Sequence, residues 1–181
     1  MDAITLLKND HKTVEKLFKT FEKASDRAKQ TKAKTVRQII EELSVHASIE
    51  EQVFYPAIRT DVPDTEDEVL ESLEEHHIVK WVLSELEDMG PDDERFDAKV
   101  TVLIENVRHH VEEEESELFP TVRKALGRKR LGEIGDALEG AKKTAPRRPH
   151  PRASDTPPDN LVAGAVASAV DTARRAAERV S

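Results

Sequence analysis

A chain of 181 residues with 28 basic against 37 acidic side chains carries a formal charge of −9, which argues against a general binder of nucleic-acid phosphates. It has no cysteine, so disulfides, iron–sulfur clusters and thiol catalysis are excluded, and a reducing compartment suits it. The start, MDAITLLKNDH, lacks a basic stretch followed by an apolar run, and no segment reaches the ~20 apolar residues of a membrane span; the expectation is a cytoplasmic protein.

The first 140 residues show helical periodicity and almost no strand signal. Ile4, Leu7, Val14, Leu17, Phe18 and Phe21 recur at three- and four-residue steps and predict a first amphipathic helix. A second stripe runs Val36, Ile39, Ile40, Leu43, then Val53, Phe54 and Ala57. Thr65 with Glu68 reads as a capping box that opens a third helix through Val69, Leu73, Val79, Leu83 and Leu86. Gly90 and Pro91 break that helix, and Asp92 or Asp93 is the expected cap of a fourth through Val100, Leu103, Val107, Leu118 and Val122. Four helices of similar length with short connections predict an all-α, up-down-up-down four-helix bundle over residues 1–127. A short fifth helix or extension follows at 128–143, with three glycines against it. Residues 144–160 hold five prolines and read as a mobile linker. Residues 161–181 are alanine-rich, a partly helical tail or a helix that docks on a partner, on another copy of the chain or on a membrane surface.

The chain repeats itself. HASIEEQVFYP at 46–56 returns as HVEEEESELFP at 110–120, and DHKTV at 10–14 as EHHIV at 75–79. Residues four apart share a helix face, so His46 and Glu50 continue the line of Ile39, Leu43 and Val53. His110 and Glu114 likewise continue Leu103 and Val107. His11 falls between Leu7 and Val14, and His76 between Leu73 and Val79. All six polar side chains therefore sit where packing asks for apolar ones. A buried, unpaired carboxylate costs several kcal/mol or shifts its pKa until it neutralises. Two of them among four histidines need a common cation. Two ions suit six such ligands better than one, with imidazoles end-on and carboxylates bridging. Nitrogen and oxygen donors without sulfur point to iron, manganese or zinc.

This order, His11, His46-x-x-x-Glu50, His76, His110-x-x-x-Glu114, with the acid–histidine pairs and the Phe-Tyr-Pro or Leu-Phe-Pro ends, resembles the hemerythrin-like (HHE cation-binding) domain. The resemblance covers about residues 1–125. It implies a four-helix bundle around a non-haem di-iron centre with those six residues as ligands, oxo- or hydroxo-bridged, and a small diatomic or peroxide ligand. The family includes oxygen carriers, sensors, and proteins that handle nitric oxide or peroxide. Oxygen carriers have a second histidine one turn along the third helix; here that position is Lys80. Their fourth helix has His-x-x-x-x-Asp, and this one has His-x-x-x-Glu. A more open and more reactive site than one for oxygen storage is therefore expected, peroxide removal among its candidate activities. A metal- or oxygen-state regulatory module without turnover, or reversible oxygen binding, is the alternative. A ferritin-like site would need Glu-x-x-His on two helices, and only Glu74-x-x-His77 is present.

Four neighbours are further candidates for ligands or supports. His77 adjoins His76, whose phase lies nearer the apolar side of the helix. Glu51 and Glu115 follow the two ligand glutamates and could orient a histidine. Tyr55 stands where the second repeat has Phe119; ideal helix phase turns it away from His46, but Pro56 can distort the helix and bring it in.

Overall fold

The computed structural model describes residues 1–155, and the alanine-rich tail lies outside them. Helix α1 spans Ala3–Lys23, with the Asp2 carboxylate accepting from Thr5 N–H at 3.0 Å as its N-cap. Helix α2, Lys29–Ile49, passes through a π turn at Glu50–Phe54 into α3, Tyr55–Asp61. Helix α4 spans Glu66–Glu87. Helix α5, Phe96–Glu113, passes through a second π turn at Glu114–Leu118 into α6, Phe119–Ala125. The bundle is thus four antiparallel rods, α1, α2–α3, α4 and α5–α6, with no strand among the described residues.

Two expected caps fail. Thr65 occupies the N-cap of α4, but its hydroxyl donates back to the Val62 carbonyl at 2.8 Å instead of accepting from the helix. Asp93 accepts from Gly90 N–H at 2.6 Å, so it closes the turn before α5 and leaves the cap position to Arg95.

The fifth helix exists as α7, Arg128–Lys142. Leu131, Ile134 and Leu138 are buried with Ile4, Leu7 and Phe119 at one end of the bundle. Of its three glycines, Gly135 is what allows this approach. A Cβ there would lie 2.0 Å from the Met1 carbonyl oxygen and 3.0 Å from the Ala3 nitrogen. Both are backbone atoms with little room to yield, so Gly135→Ala is expected to destabilise the fold by about 1–3 kcal/mol, read as a lower midpoint in thermal denaturation.

Residues 144–155, the first part of the proline-rich stretch, lie against the bundle. Ala145 is buried in the core cluster, Arg147 pairs with Glu41 on α2, and Arg148 reaches Glu87 on α4 at 3.5 Å.

The core divides into two apolar clusters. One gathers Leu7, Ile49, Leu73 and Leu118 with the α7 leucines. The other gathers Val14, Leu43, Val79 and Val107. Each rod crosses from one cluster to the other at its histidine: His11 between Leu7 and Val14, His46 between Leu43 and Ile49, His76 between Leu73 and Val79, His110 between Val107 and Leu118. A single polar layer thus lies between two dry ones, each large side chain of which contributes about 1.5–3 kcal/mol by burial.

The π turns have a local cause. Pro56 and Pro120 have no N–H, and their rings press on the carbonyl four residues back. The backbone widens instead: Tyr55 N–H bonds to the Glu50 carbonyl and Phe119 N–H to the Glu114 carbonyl, both five residues back. Tyr55 is nine residues beyond His46, about 180° away on an ideal helix; one residue absorbed by the π turn returns about 100° of that. The phenol consequently faces the polar layer.

Candidate metal centre

His11, His46, Glu50, His76, His110 and Glu114 come together in that layer, each at most 6% exposed. The imidazoles meet in two pairs, Nε2 to Nε2, at 3.2 Å for His11 with His46 and 3.2 Å for His76 with His110. Each glutamate spans both pairs. Glu50 Oε2 lies 3.1 Å from His46 Nε2 and 3.4 Å from His76 Nε2. Glu114 Oε2 lies 3.3 Å from His11 Nε2 and 3.6 Å from His110 Nε2. Two groups of donor atoms close enough to share an ion result: His11, His46, Glu50 and Glu114, and Glu50, His76 and His110.

The outer nitrogens decide which way these rings are protonated. His11 Nδ1 donates to Glu115 at 2.9 Å, His76 Nδ1 to Glu51 at 3.2 Å, and His110 Nδ1 to Glu75 at 2.7 Å. His46 Nδ1 faces Asp10 at 3.9 Å. Ionised carboxylates only accept, so Nδ1 carries the hydrogen and Nε2 turns its lone pair inward. Lysines hold three of these acids in place: Lys8 on Glu115 at 3.1 Å, Lys80 on Glu51 at 2.8 Å, and Lys142 of α7 on Asp10 at 2.5 Å. The support is itself a twofold design: the acid before one histidine serves the next rod's histidine, and the acid after each inner glutamate serves a distant one.

Lone pairs and carboxylate oxygens therefore converge on one another. Both oxygens of Glu50 and Glu114 Oε2 are buried without a hydrogen-bond donor, an arrangement that a cation relieves. Burial and the neighbouring charge of Glu114 push the Glu50 carboxyl well above its usual range. Burial also acts on Glu114, but the charge of His110 and the closeness and charge of His11 outweigh it and hold that group ionised. His46 is pushed down to about 4 by burial. His110 is raised, because Glu114 and Glu75 together outweigh its burial.

A pH dependence follows. Glu50 and His110, with raised values, hold their protons more tightly than usual and a bound metal must displace them, whereas His46 offers no proton to compete above about pH 4. Affinity for a divalent ion should rise from pH 6 to pH 8 with proton release. Cobalt(II) titrations in buffers of different protonation enthalpy measure it; equal affinity at both ends of that range would contradict the assignment.

Of the further candidates, Tyr55 joins the cluster: its hydroxyl donates to Glu114 Oε1 at 2.9 Å and lies 3.5 Å from His76 Nε2. Glu51 and Glu115 stand behind histidines and do not face the inner nitrogens. His77 is a correction: it is exposed and accepts from Trp81 Nε1 at 3.1 Å, outside the cluster. His109 is likewise at the surface, against Glu113 at 3.3 Å. Sequence reasoning missed the roles of Asp10 and Glu75, although the repeated acid–histidine pair displayed both. Lys80 was legible only as a missing ligand; it is buried and binds both oxygens of Glu51, at 2.8 and 3.0 Å.

A four-helix bundle with paired histidines and shared glutamates between its rods defines a cation-binding helical domain. Residues 2–122 match the hemerythrin HHE cation binding domain, and the chain belongs to that family. It is 28% identical over 171 residues to an uncharacterized hemerythrin-like protein of Schizosaccharomyces pombe, covering 94% of this chain and 83% of that one. A DNA nickase of Nostoc is 28% identical over 148 residues, 82% of this chain but 41% of the relative. Among solved structures, a hemerythrin HHE cation binding domain-containing protein of Mycobacterium kansasii superposes with a TM-score of 0.68 at 19% identity, over 79% of this chain and 86% of that one, a likeness of fold. No helix of the described residues is long and apolar enough to cross a membrane.

Proposed function

We propose that the centre holds two iron ions and that the protein reacts with peroxide, dioxygen or nitric oxide, hydrogen peroxide removal being the favoured activity, rather than storing oxygen. The observation that carries this reading is the convergence of four inward Nε2 atoms on buried carboxylate oxygens, both of Glu50 and Oε2 of Glu114, that lack donors. His11, His46, Glu50 and Glu114 would hold one ion, and Glu50, His76 and His110 the other, with Glu50 and Glu114 shared. Iron held there would supply redox chemistry toward oxygen and nitrogen oxides.

The rest belongs to the chain's own residues. Glu51, Glu75 and Glu115 fix three of the imidazoles in the tautomer that a metal needs, and the Asp10 carboxylate faces the fourth at 3.9 Å. The two apolar clusters keep water from the layer and strengthen every charge within it. The poles differ. On one, the Phe119 ring stacks on His11, with centroids 5.8 Å apart and planes at 6°. On the other, the Tyr55 hydroxyl is the hydrogen-bond donor, and burial with the charges of Glu114 and Glu50 raises its pKa, so it keeps its proton at neutral pH. A proton held at Tyr55 Oη can be given to an oxygen atom developing charge beside it. Lys80 is committed to Glu51 and cannot serve as the ligand that oxygen carriers have there; this supports a reactive over a storage site.

Protein purified in air should contain two irons per chain and show oxo-to-iron(III) absorption that changes on adding hydrogen peroxide or nitric oxide. Oxygen evolution from hydrogen peroxide would establish the favoured activity. A chain that takes up no iron, or binds it without any spectral response to these oxidants, sinks the reading. A role in oxidative stress and a cytoplasmic location belong to the same proposal. The contacts of residues 144–155 with α2 and α4 favour, as a second reading, a module that signals metal state without turnover.

A further inference from the structure

Behind the four inner histidines stand four acids, and a lysine holds three of them: Lys8 on Glu115, Lys80 on Glu51 and Lys142 on Asp10. The fourth, Glu75, accepts from His110 Nδ1 at 2.7 Å and pairs with no lysine or arginine among the described residues. Its neighbours are instead His109 and Glu113 of α5. Glu75, His109 and Glu113 each bring one donor atom within 4.8 Å of those of the other two.

The internal repeat makes this difference specific. EHHIV matches DHKTV, so Glu75 answers to Asp10; HVEEEESELFP matches HASIEEQVFYP, so His109 and Glu113 answer to Val45 and Ile49. Val45 and Ile49 are buried in one cluster with Leu131, Ile134 and Leu138 of α7, and α7 is what carries Lys142 to Asp10. In the second half the same two positions are at the surface, with side chains 65% and 40% exposed. Exposure alone asks only for polar side chains. The chain places an imidazole and a carboxylate one turn apart on one helix face, Nε2 at 3.3 Å from Oε1, beside the one outer acid that no lysine holds.

Two carboxylates and a neutral imidazole offer negative charge and three donor atoms together. A lysine would answer only the charge, whereas a divalent ion answers both. Imidazole among the donors favours zinc or ferrous iron over magnesium or calcium, and water completes the coordination at an exposed site.

We propose that Glu75, His109 and Glu113 form an outer site for a divalent ion of the zinc or ferrous-iron class, which does for Glu75 what the lysines do for the other three acids. Through Glu75 the ion adjoins His110, so the outer site lies one side chain from the polar layer. It does not depend on what the inner ligands hold.

Zinc(II) is the probe, titrated calorimetrically into the iron-loaded full-length protein, with iron measured before and after. The parent should take up one zinc per chain and keep its iron. His109→Ala with Glu113→Gln, both at the surface, should lose that uptake with iron content and helical circular dichroism retained. Glu113→Lys, which offers Glu75 the lysine its counterparts have, should lose it too. A parent that takes up no zinc overturns the proposal, and so does zinc uptake that releases iron in equal amount. A double variant that binds zinc as tightly as the parent also overturns it, and makes zinc an adventitious ion only. In a chain that takes up no iron, zinc uptake lower by one ion in the double variant sustains the outer site and refutes the di-iron reading alone. Iron-loaded protein that responds to peroxide and ignores zinc refutes the outer site alone.

Discussion

Glu50→Gln is expected to act with opposite sign in the loaded and the metal-free protein. With iron available, the variant should retain fewer than one ion per chain, because Glu50 lies against both histidine pairs, 3.1 Å from His46 and 3.4 Å from His76, and its loss weakens both groups. Without metal, the same change removes a buried carboxyl that has no donor on either oxygen and that faces Glu114. The amide keeps the shape and is neutral without taking up a proton, which the raised Glu50 carboxyl must do on folding, so at neutral pH the metal-free variant should be more stable than the metal-free parent by about 1–3 kcal/mol. Melting curves with and without a chelator read this crossing directly. A variant less stable than the parent in chelator would mean that Glu50 is a satisfied structural residue, and that the layer was built to hold no cation.

Tyr55→Phe should leave the metal in place and slow the reaction. The substitution copies what the second repeat already has at Phe119, a ring fully buried in the same core cluster, so the packing tolerates it. It deletes a hydroxyl that donates to Glu114 at 2.9 Å, at a stability cost of about 1 kcal/mol. The rate of peroxide consumption should fall about 100-fold, the lower end of what a positioned proton donor supplies, with two irons per chain unchanged. Stopped-flow decay of peroxide beside metal analysis separates the two effects. An unchanged rate would return Tyr55 to a packing role and leave the asymmetry of the two halves without chemical meaning.

Much of the site was legible because it contradicts its own surroundings. His46 and Glu50 interrupt an apolar stripe, and the interruption recurs at His110 and Glu114; periodicity alone places both pairs inward. The same periodicity misplaces Tyr55, because an ideal helix has no means to register the extra residue that Pro56 forces into the turn. Both prolines were visible, but a proline signals distortion without its amount. Asp10 and Glu75 escaped assignment for another reason. Each belongs to a histidine on a different rod, 36 and 35 residues onward in sequence at His46 and His110, and only the packing of α1 on α2 and of α4 on α5 makes them neighbours. Gly135 was misread as a weakness of α7, since nothing in a helical stretch announces that another backbone will lie on it.

The contact of α7 with the polar layer bears on how the protein is cut. The family match ends at residue 122, whereas Lys142 reaches 2.5 Å from Asp10, which in turn faces His46. A fragment trimmed at the family boundary would strip the cover from Ile4 and Leu7 and leave the Asp10 carboxylate, whose side chain is 13% exposed, with no cation beside the histidine it faces. A fragment carried to residue 142 would keep both, because α7 is a wall of the chamber rather than an appendage to it.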